Sequence, residues 1–240
     1  MKRPARIKSF SSTTHLTKQQ YAYETLRASI LRAEMAPGTR LVIDELARRF
    51  AISIIPVREA LRLLQSEGLV VSVAHVGATV APISRESVTE VFTLLEGLEV
   101  VAARCATERA DSSDLASLAA IVADMDAALD AERPQRWAEL NTRFHLTISG
   151  LAGMPMLQEM LQRAFDHWDR VRRYYFTGVL VHRARQAQTE HHQMLDHMRA
   201  RNLTAIEATL RAHNQGALNA YTAYLDSVAA APAAAAGRHG

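Results

Sequence analysis

Seven of the ten histidines in this 240-residue chain lie between positions 145 and 213. Imidazole is a common metal ligand and the side chain whose proton equilibrium lies closest to neutrality. Two spacings make some of these residues candidates for joint chemistry. Asn141 and His145 are four positions apart, so on a helix both project from one face. His191 and His213 are 22 positions apart, with a chain break signalled near Asn202. In an antiparallel helical hairpin turning there, each sits 11 residues from the turn, at similar height. Three imidazoles and an amide oxygen would then converge inside a bundle, where helical proteins hold metals. Three His ligands suit a divalent ion such as Zn, Ni or Fe. Taken singly, each histidine has a competing reading as an exposed or hydrogen-bonded structural residue. His182, His192 and His197 lack comparable partners and are read as structural.

A second group lies nearer the N-terminus. Val57, Ala60, Leu61 and Leu64 fall on one face of a helix, and Arg58, Arg62 and Gln65 fall at i, i+4, i+7 on the opposite face. Ser53, Ile54 and Ile55 stand at its N-terminal edge. Guanidinium bonds guanine or phosphate bidentately, so such a face suits duplex DNA. An ordinary amphipathic helix with a solvated basic face is the competing reading.

These residues need elements to position them. Thr17-Lys18-Gln19-Gln20 fits a capping box, with Leu16 placed to staple against Tyr21, and Tyr23, Leu26, Ile30 and Leu31 continue at helical spacing until Pro37-Gly38. A short helix is predicted over Ile43–Phe50, with Asp44 and Glu45 in its first turn and Arg48 and Arg49 in its last, complementing the dipole. Leu46, Ala47 and Phe50 form its inward face. A third helix starts at the N-cap Ser53 and stops at Gly68. Leu69–Val73 and Ala78–Ala81 read as strands around a turn at Ala74–Gly77. Six helices follow, predicted over 85–110, 112–131, 134–150, 155–176, 182–200 and 203–228, with breaks that include Thr177-Gly178. Their short connections imply antiparallel neighbours. The fold class is therefore mainly α: an N-terminal winged helix-turn-helix and a C-terminal antiparallel all-helical bundle. The expected organisation is a flexible basic arm over 1–15, a DNA-binding domain over 16–83, a helical effector-binding and dimerisation domain over 84–228, and a disordered Ala-rich tail over 229–240.

Composition agrees with this division. Residues 1–85 hold 13 Lys and Arg against 6 Asp and Glu, whereas residues 86–240 hold 15 against 19, so a basic end adjoins an acidic body. That asymmetry suits a polyanionic partner at one end only. No apolar run of membrane-spanning length occurs and the basic N-terminus lacks an apolar signal core. A single cysteine, Cys105, excludes an internal disulfide framework. A cytoplasmic protein with no membrane association is expected.

The stretch from Pro37 to Pro82, PGTRLVIDELARRFAISIIPVREALRLLQSEGLVVSVAHVGATVAP, resembles the DNA-binding domain of the GntR family, with PGTRL, DELA, PVREAL and EGLV in order. The region 85–226 resembles the helical effector domain (FCD) of the FadR-like branch, through NTRFH at 141–145, EHHQML at 190–195 and the RAHN histidine, His213. The resemblance implies that Arg58 contacts operator DNA and that the hairpin enters the minor groove through His75 and Gly77. It also implies a metal held by His145, His191 and His213, with Asn141 as fourth ligand and water or a carboxylate effector in the remaining positions. Two departures stand out. Ile54-Ile55 replaces an Arg-Thr pair, removing a guanine reader worth about 1–3 kcal/mol of discrimination. Leu95 stands where relatives carry an arginine thought to hold an acidic effector. Arg104, Arg143, Arg172 and Arg173 are the candidates to replace it, although surface placement is the competing reading. Trp168, Tyr174 and Tyr175 are read as core or rim.

The expected function is transcriptional regulation, most simply repression, by a homodimer on double-stranded operator DNA, controlled by a small organic acid bound near the metal. One competitor is a metal-dependent hydrolase, since a three-His site with open positions activates water; neither HExxH nor a nucleophile elbow is present. The other is a sequence-tolerant architectural DNA binder with a structural metal, whose affinity would depend steeply on salt and little on sequence.

Overall fold

A computed structural model of the chain describes residues 16–175, 179 and 181–230. Its contacts divide into two compact units, the first running to Ala81 and the second from Pro82, with Leu31–Ala33 at the end of the first helix grouped with the second. The expected arm over 1–15, the break at Thr177-Gly178 and tail residues 231–240 lie outside the described residues.

The first unit contains helices α1 (Lys18–Leu31), α2 (Ile43–Phe50) and α3 (Ile54–Ser66), followed by strands β1 (Val70–Val73) and β2 (Gly77–Val80). The capping box at the start of α1 is formed: Gln20 N–H donates to Thr17 Oγ1 at 3.1 Å and Thr17 N–H to Gln20 Oε1 at 2.9 Å. Its buried stripe is Ala22, Leu26 and Ile30. Tyr23 is only half-buried because its hydroxyl reaches Glu67, the residue that also pairs with Arg27. The expected staple between Leu16 and Tyr21 is replaced: both residues are exposed, and Tyr21 packs edge-on against Phe50 at 5.8 Å. Between α2 and α3 the chain turns in three residues, with Ala51 in the left-handed region at φ 54°. Gly68 (φ 73°) closes α3, with Leu69 N–H bonded to Leu64 O and Gly68 N–H to Gln65 O, the paired bonds of a Schellman end. Without a Cβ, glycine adopts this conformation at little cost. β1 and β2 pair antiparallel from Val70↔Val80 to Val73↔Gly77. Arg40 forms a further antiparallel bridge to Thr79, a pairing that no periodicity in PGTRL announces.

The second unit contains α4 (Arg85–Arg109), α5 (Ser112–Asp130), α6 (Pro134–Leu151), α7 (Pro155–Tyr175), α8 (Val181–Arg199) and α9 (Leu203–Ala230). Reciprocal capping boxes start α4 at Ser84 and α5 at Asp111, and Pro134 takes the first position of α6, where its missing N–H costs nothing. The last helix continues through Ala230, two residues into the stretch expected to be a tail. α5 packs on α6 and α8, and α4 on α6, α7 and α9. One apolar cluster holds Met125, Trp137, Phe144 and Met194, and a second holds Phe92, Leu95, Trp168 and Tyr221. The polar cluster described next is built from α4, α6, α8 and α9.

Candidate metal centre and nucleic-acid interface

In the first unit, Val57, Ala60, Leu61 and Leu64 of α3 are buried, and Arg58 and Arg62 are exposed. Gln65 is half-buried. The apolar face fixes the helix to its unit, which leaves the opposite face for a partner. Arg62 makes a surface pair with Glu59 at 3.0 Å, an interaction weak enough to exchange for a phosphate. Ser53, Ile54 and Ile55 are all exposed at the N-terminal end, Ile55 at 68%. Two isoleucines kept in water match no packing need of the unit. His75 (φ 62°) and Gly77 (φ 96°) form the exposed tip of the hairpin. The positive φ at Gly77 is a backbone state that a side chain there would strain.

In the second unit, His145 of α6, His191 of α8 and His213 of α9 are all buried, and one nitrogen from each lies within 4.8 Å of the others. The His145 and His191 Nε2 atoms are 3.3 Å apart. The opposite edge of each ring faces an acceptor. His145 Nδ1 lies 2.5 Å from Glu99 and His213 Nδ1 2.7 Å from Glu190. His191 Nδ1 lies 3.4 Å from Gln188 Oε1. Gln188 is fixed in orientation because its amide NH2 donates to Val122 O and Asp126, leaving Oε1 to accept from Trp137 at 3.0 Å. With Nδ1 carrying the proton in His145 and His191, their Nε2 lone pairs face each other, and a nitrogen of His213 lies within 4.8 Å of both rings' ligand atoms. Lone pairs so arranged repel unless a cation or shared protons lie between them, so the donor set fits a metal.

Burial favours the neutral, ligating form of His191 and His213. Burial, reinforced by the neighbouring His213 and His145, holds His191 well below its ordinary value near 6.5. Burial also lowers His213, against the opposing hydrogen bond to Glu190. For Glu190 burial acts upward, but hydrogen bonds and charge from His213 and Arg183 prevail and bring it down to about 2. Burial likewise acts upward on Glu99, yet His145, Asn214 and His213 together hold it below the usual carboxylate range. Arg183 reaches Glu190 at 2.5 Å and the His213 carbonyl at 3.3 Å. Gly216 leaves room for that guanidinium: a Cβ there would lie 2.8 Å from Arg183 Nη2.

A cavity of about 40 Å³ adjoins the cluster. Asn141, buried one turn from His145 on α6, lines it with His145, His213, Glu99 and Arg183. Phe92, Leu95 and Trp168 form an apolar wall. Leu95 is 2% exposed, so the position expected to hold an arginine in relatives is a packed aliphatic here. Of the arginines expected to replace it, Arg172 lines the cavity, buried, paired with Asp169 at 2.8 Å and bonded to the Ala138 carbonyl. Arg104 and Arg143 depart from expectation. Both are exposed and neither lines the cavity, Arg104 pairing with Glu108 and Glu207 on the surface. Arg173 is also exposed. Their helix positions put them on the solvent side, where a guanidinium keeps its hydration. Trp168 is buried core, Tyr175 packs on Tyr224, and His192 is an exposed partner of Asp126.

Sequence reasoning missed Glu99, Arg183, Gln188, Glu190 and Asn214. Glu190 and Asn214 are sequence neighbours of His191 and His213 and could have been flagged by adjacency. Glu99 lies in the apolar run of α4, and its role appears only once α4 packs on α6.

A winged helix-turn-helix unit followed by a bundle that has six helices among the described residues, with three buried histidines drawn together, has the make-up of a DNA-binding protein with a separate helical domain. Comparison with known proteins agrees with that make-up. Residues 18–80 match the gntR family of bacterial regulatory proteins, and residues 90–216 match the FCD domain. The chain therefore belongs to the GntR family, as a transcriptional regulator with an FCD effector-binding domain. It is similar to the HTH-type transcriptional regulator YdhC of Bacillus subtilis, at 26% identity over 80% of this chain and 85% of that one. It is also similar to the Escherichia coli repressor GlaR, at 25% identity over 80% and 90%. Escherichia coli McbR/YncC shares the fold with a TM-score of 0.68 at 22% identity, covering 86% of this chain and 97% of that one. These matches point to a regulator rather than an enzyme. No helix among the described residues is long and apolar enough to cross a membrane.

Proposed function

We propose that this regulator is a homodimeric repressor whose affinity for a pseudo-palindromic operator is set by a small organic acid bound beside a divalent metal. The observation that carries the reading is the convergence of three imidazole nitrogens, each ring held from behind, in the sensor unit of a chain whose other unit exposes an arginine-bearing helix. His145, His191 and His213 would hold the ion, with Asn141 offering its amide oxygen; Zn and Ni suit this donor set. The bound ion would supply a Lewis-acidic anchor for a carboxylate.

The cavity limits the effector. At about 40 Å³ the space beside the cluster is small, which favours a small acid. Arg172 and Arg183, each already paired with a carboxylate, line the polar side and offer N–H donors to a carboxylate, and Leu95 with Phe92 and Trp168 receives the apolar end. On the DNA side, Arg58, Arg62 and Gln65 would enter the major groove, with Ser53, Ile54 and Ile55 at the leading edge and His75 and Gly77 toward the minor groove. The exposed isoleucines suit thymine methyl groups. Exposed Leu94 and Val101 on α4, and Met156 and Met160 on α7, supply apolar surface for dimerisation. The name of the relative GlaR supports repression as the polarity. Effector control requires unequal affinity for the two operator-binding states, typically worth about 1–3 kcal/mol.

Electrophoretic mobility shift with a fragment upstream of the protein's own coding sequence tests the reading. A shift that resists competition by scrambled duplex, and weakens with a small carboxylate in the presence of Zn²⁺, supports it. Unaltered mobility overturns it, and a shift competed equally by any duplex transfers the case to an architectural binder.

A further inference from the structure

We infer that Glu99 is the positioning residue that supplies the metal centre, through His145, with the negative charge that the neutral Asn141 does not bring. The inference rests on the metal reading above. Glu99 extends from α4 with its side chain 7% exposed. One carboxylate oxygen lies 2.5 Å from His145 Nδ1 and the other accepts from Asn214 Nδ2 at 2.7 Å. Neither partner is a fixed cation.

The other acids of the cluster differ in this respect. Glu190 is matched by Arg183 at 2.5 Å, and Asp169 by Arg172 at 2.8 Å. Those two pairs are matched internally, whereas Glu99 is, among the described residues, the buried carboxylate that touches an imidazole without a guanidinium paired to it. A buried carboxylate is tolerated only where positive charge faces it. A divalent ion on the far side of the His145 ring provides that charge. In return, a carboxylate accepting the Nδ1 proton orients the ring and makes Nε2 a stronger donor to the metal. The negative charge thus stands one imidazole away from the ion, behind a ligand. A neutral amide occupies the ligand position itself, leaving the open side of the centre less repulsive to an incoming anion.

The test uses the full chain and Zn²⁺, with affinity measured by competition against a chromogenic chelator and folding followed by far-ultraviolet circular dichroism. Glu99→Gln is expected to weaken Zn²⁺ binding about 10–100-fold while keeping helicity. Asn141→Asp is expected to strengthen binding by a larger factor in the Glu99→Gln background than in the wild type, because only there is the charge missing. Glu99→Asp, which keeps the charge and serves also if the glutamine variant does not fold, should bind more tightly than a centre lacking that charge. Wild-type affinity in Glu99→Gln overturns the inference, as does an equal Asn141→Asp factor in both backgrounds. So does a Glu99→Asp variant that binds no better than His145→Ala. A wild-type chain that takes up no Zn²⁺ refutes the metal reading itself, before any variant is compared.

Discussion

Replacing His191 by alanine should remove most of the metal-dependent stabilisation of the helical unit expected from the proposed centre, and the size of the loss follows from linkage. His191 is fully buried, and its Nε2 stands 3.3 Å from that of His145. On the proposed metal reading, a centre without its ion would leave these lone pairs opposed, so the loaded state would be the more stable one. At a metal concentration 100 times Kd, linkage contributes about 2.7 kcal/mol to the folded state. For a unit the size of Pro82–Gly240, each kcal/mol moves Tm by about 2–4 °C. Chelation should therefore lower the wild-type transition by roughly 5–11 °C under those conditions. In His191→Ala two imidazoles remain, and the difference between chelated and Zn²⁺-supplemented samples should fall to about 1–2 °C. Differential scanning fluorimetry with each protein dialysed against chelator, then returned to Zn²⁺, reads both values. A His191→Ala protein that keeps the wild-type shift would refute the assignment of His191 as a ligand. A wild type insensitive to both treatments would refute the centre altogether.

Three further outcomes are expected. Arg58→Ala should weaken operator binding by about 1–3 kcal/mol and relax specificity at one base position, whereas Arg62→Ala, if it meets phosphate, should weaken all duplexes alike and reduce the salt slope by about one; fluorescence anisotropy across a salt series distinguishes them. Leu64→Ala, at a site with no exposed surface, should cost the DNA-binding unit about 2–5 kcal/mol while the chelator-sensitive transition stays in place, as read by calorimetry. Leu95→Ala should enlarge the cavity and admit bulkier acids; thermal shift across a series of carboxylates of increasing size checks this, and an unchanged size limit would show that Leu95 does not bound the effector.

Much of this organisation is legible in the chain itself. The 3.6-residue periodicity and the stop signals at Gly68, Pro134 and Asn202 define helices whose bounds match the structure closely, because each signal acts within one or two turns. The inward and outward faces of α3 follow in the same way, since Val57, Ala60, Leu61 and Leu64 can bury only together. Even the pairing of His191 with His213 is readable, because a hairpin makes sequence separation a measure of height. What the chain could not disclose is whatever depends on packing between helices distant in sequence. Arg172 and Arg143 are both arginines on long helices, yet one is buried beside the cavity and the other faces solvent. Glu99 looks like a stray charge in the apolar run of α4 until α6 sets His145 against it at 2.5 Å. Local periodicity assigns a side chain to a face of its own helix, and only the arrangement of neighbouring helices decides what that face meets.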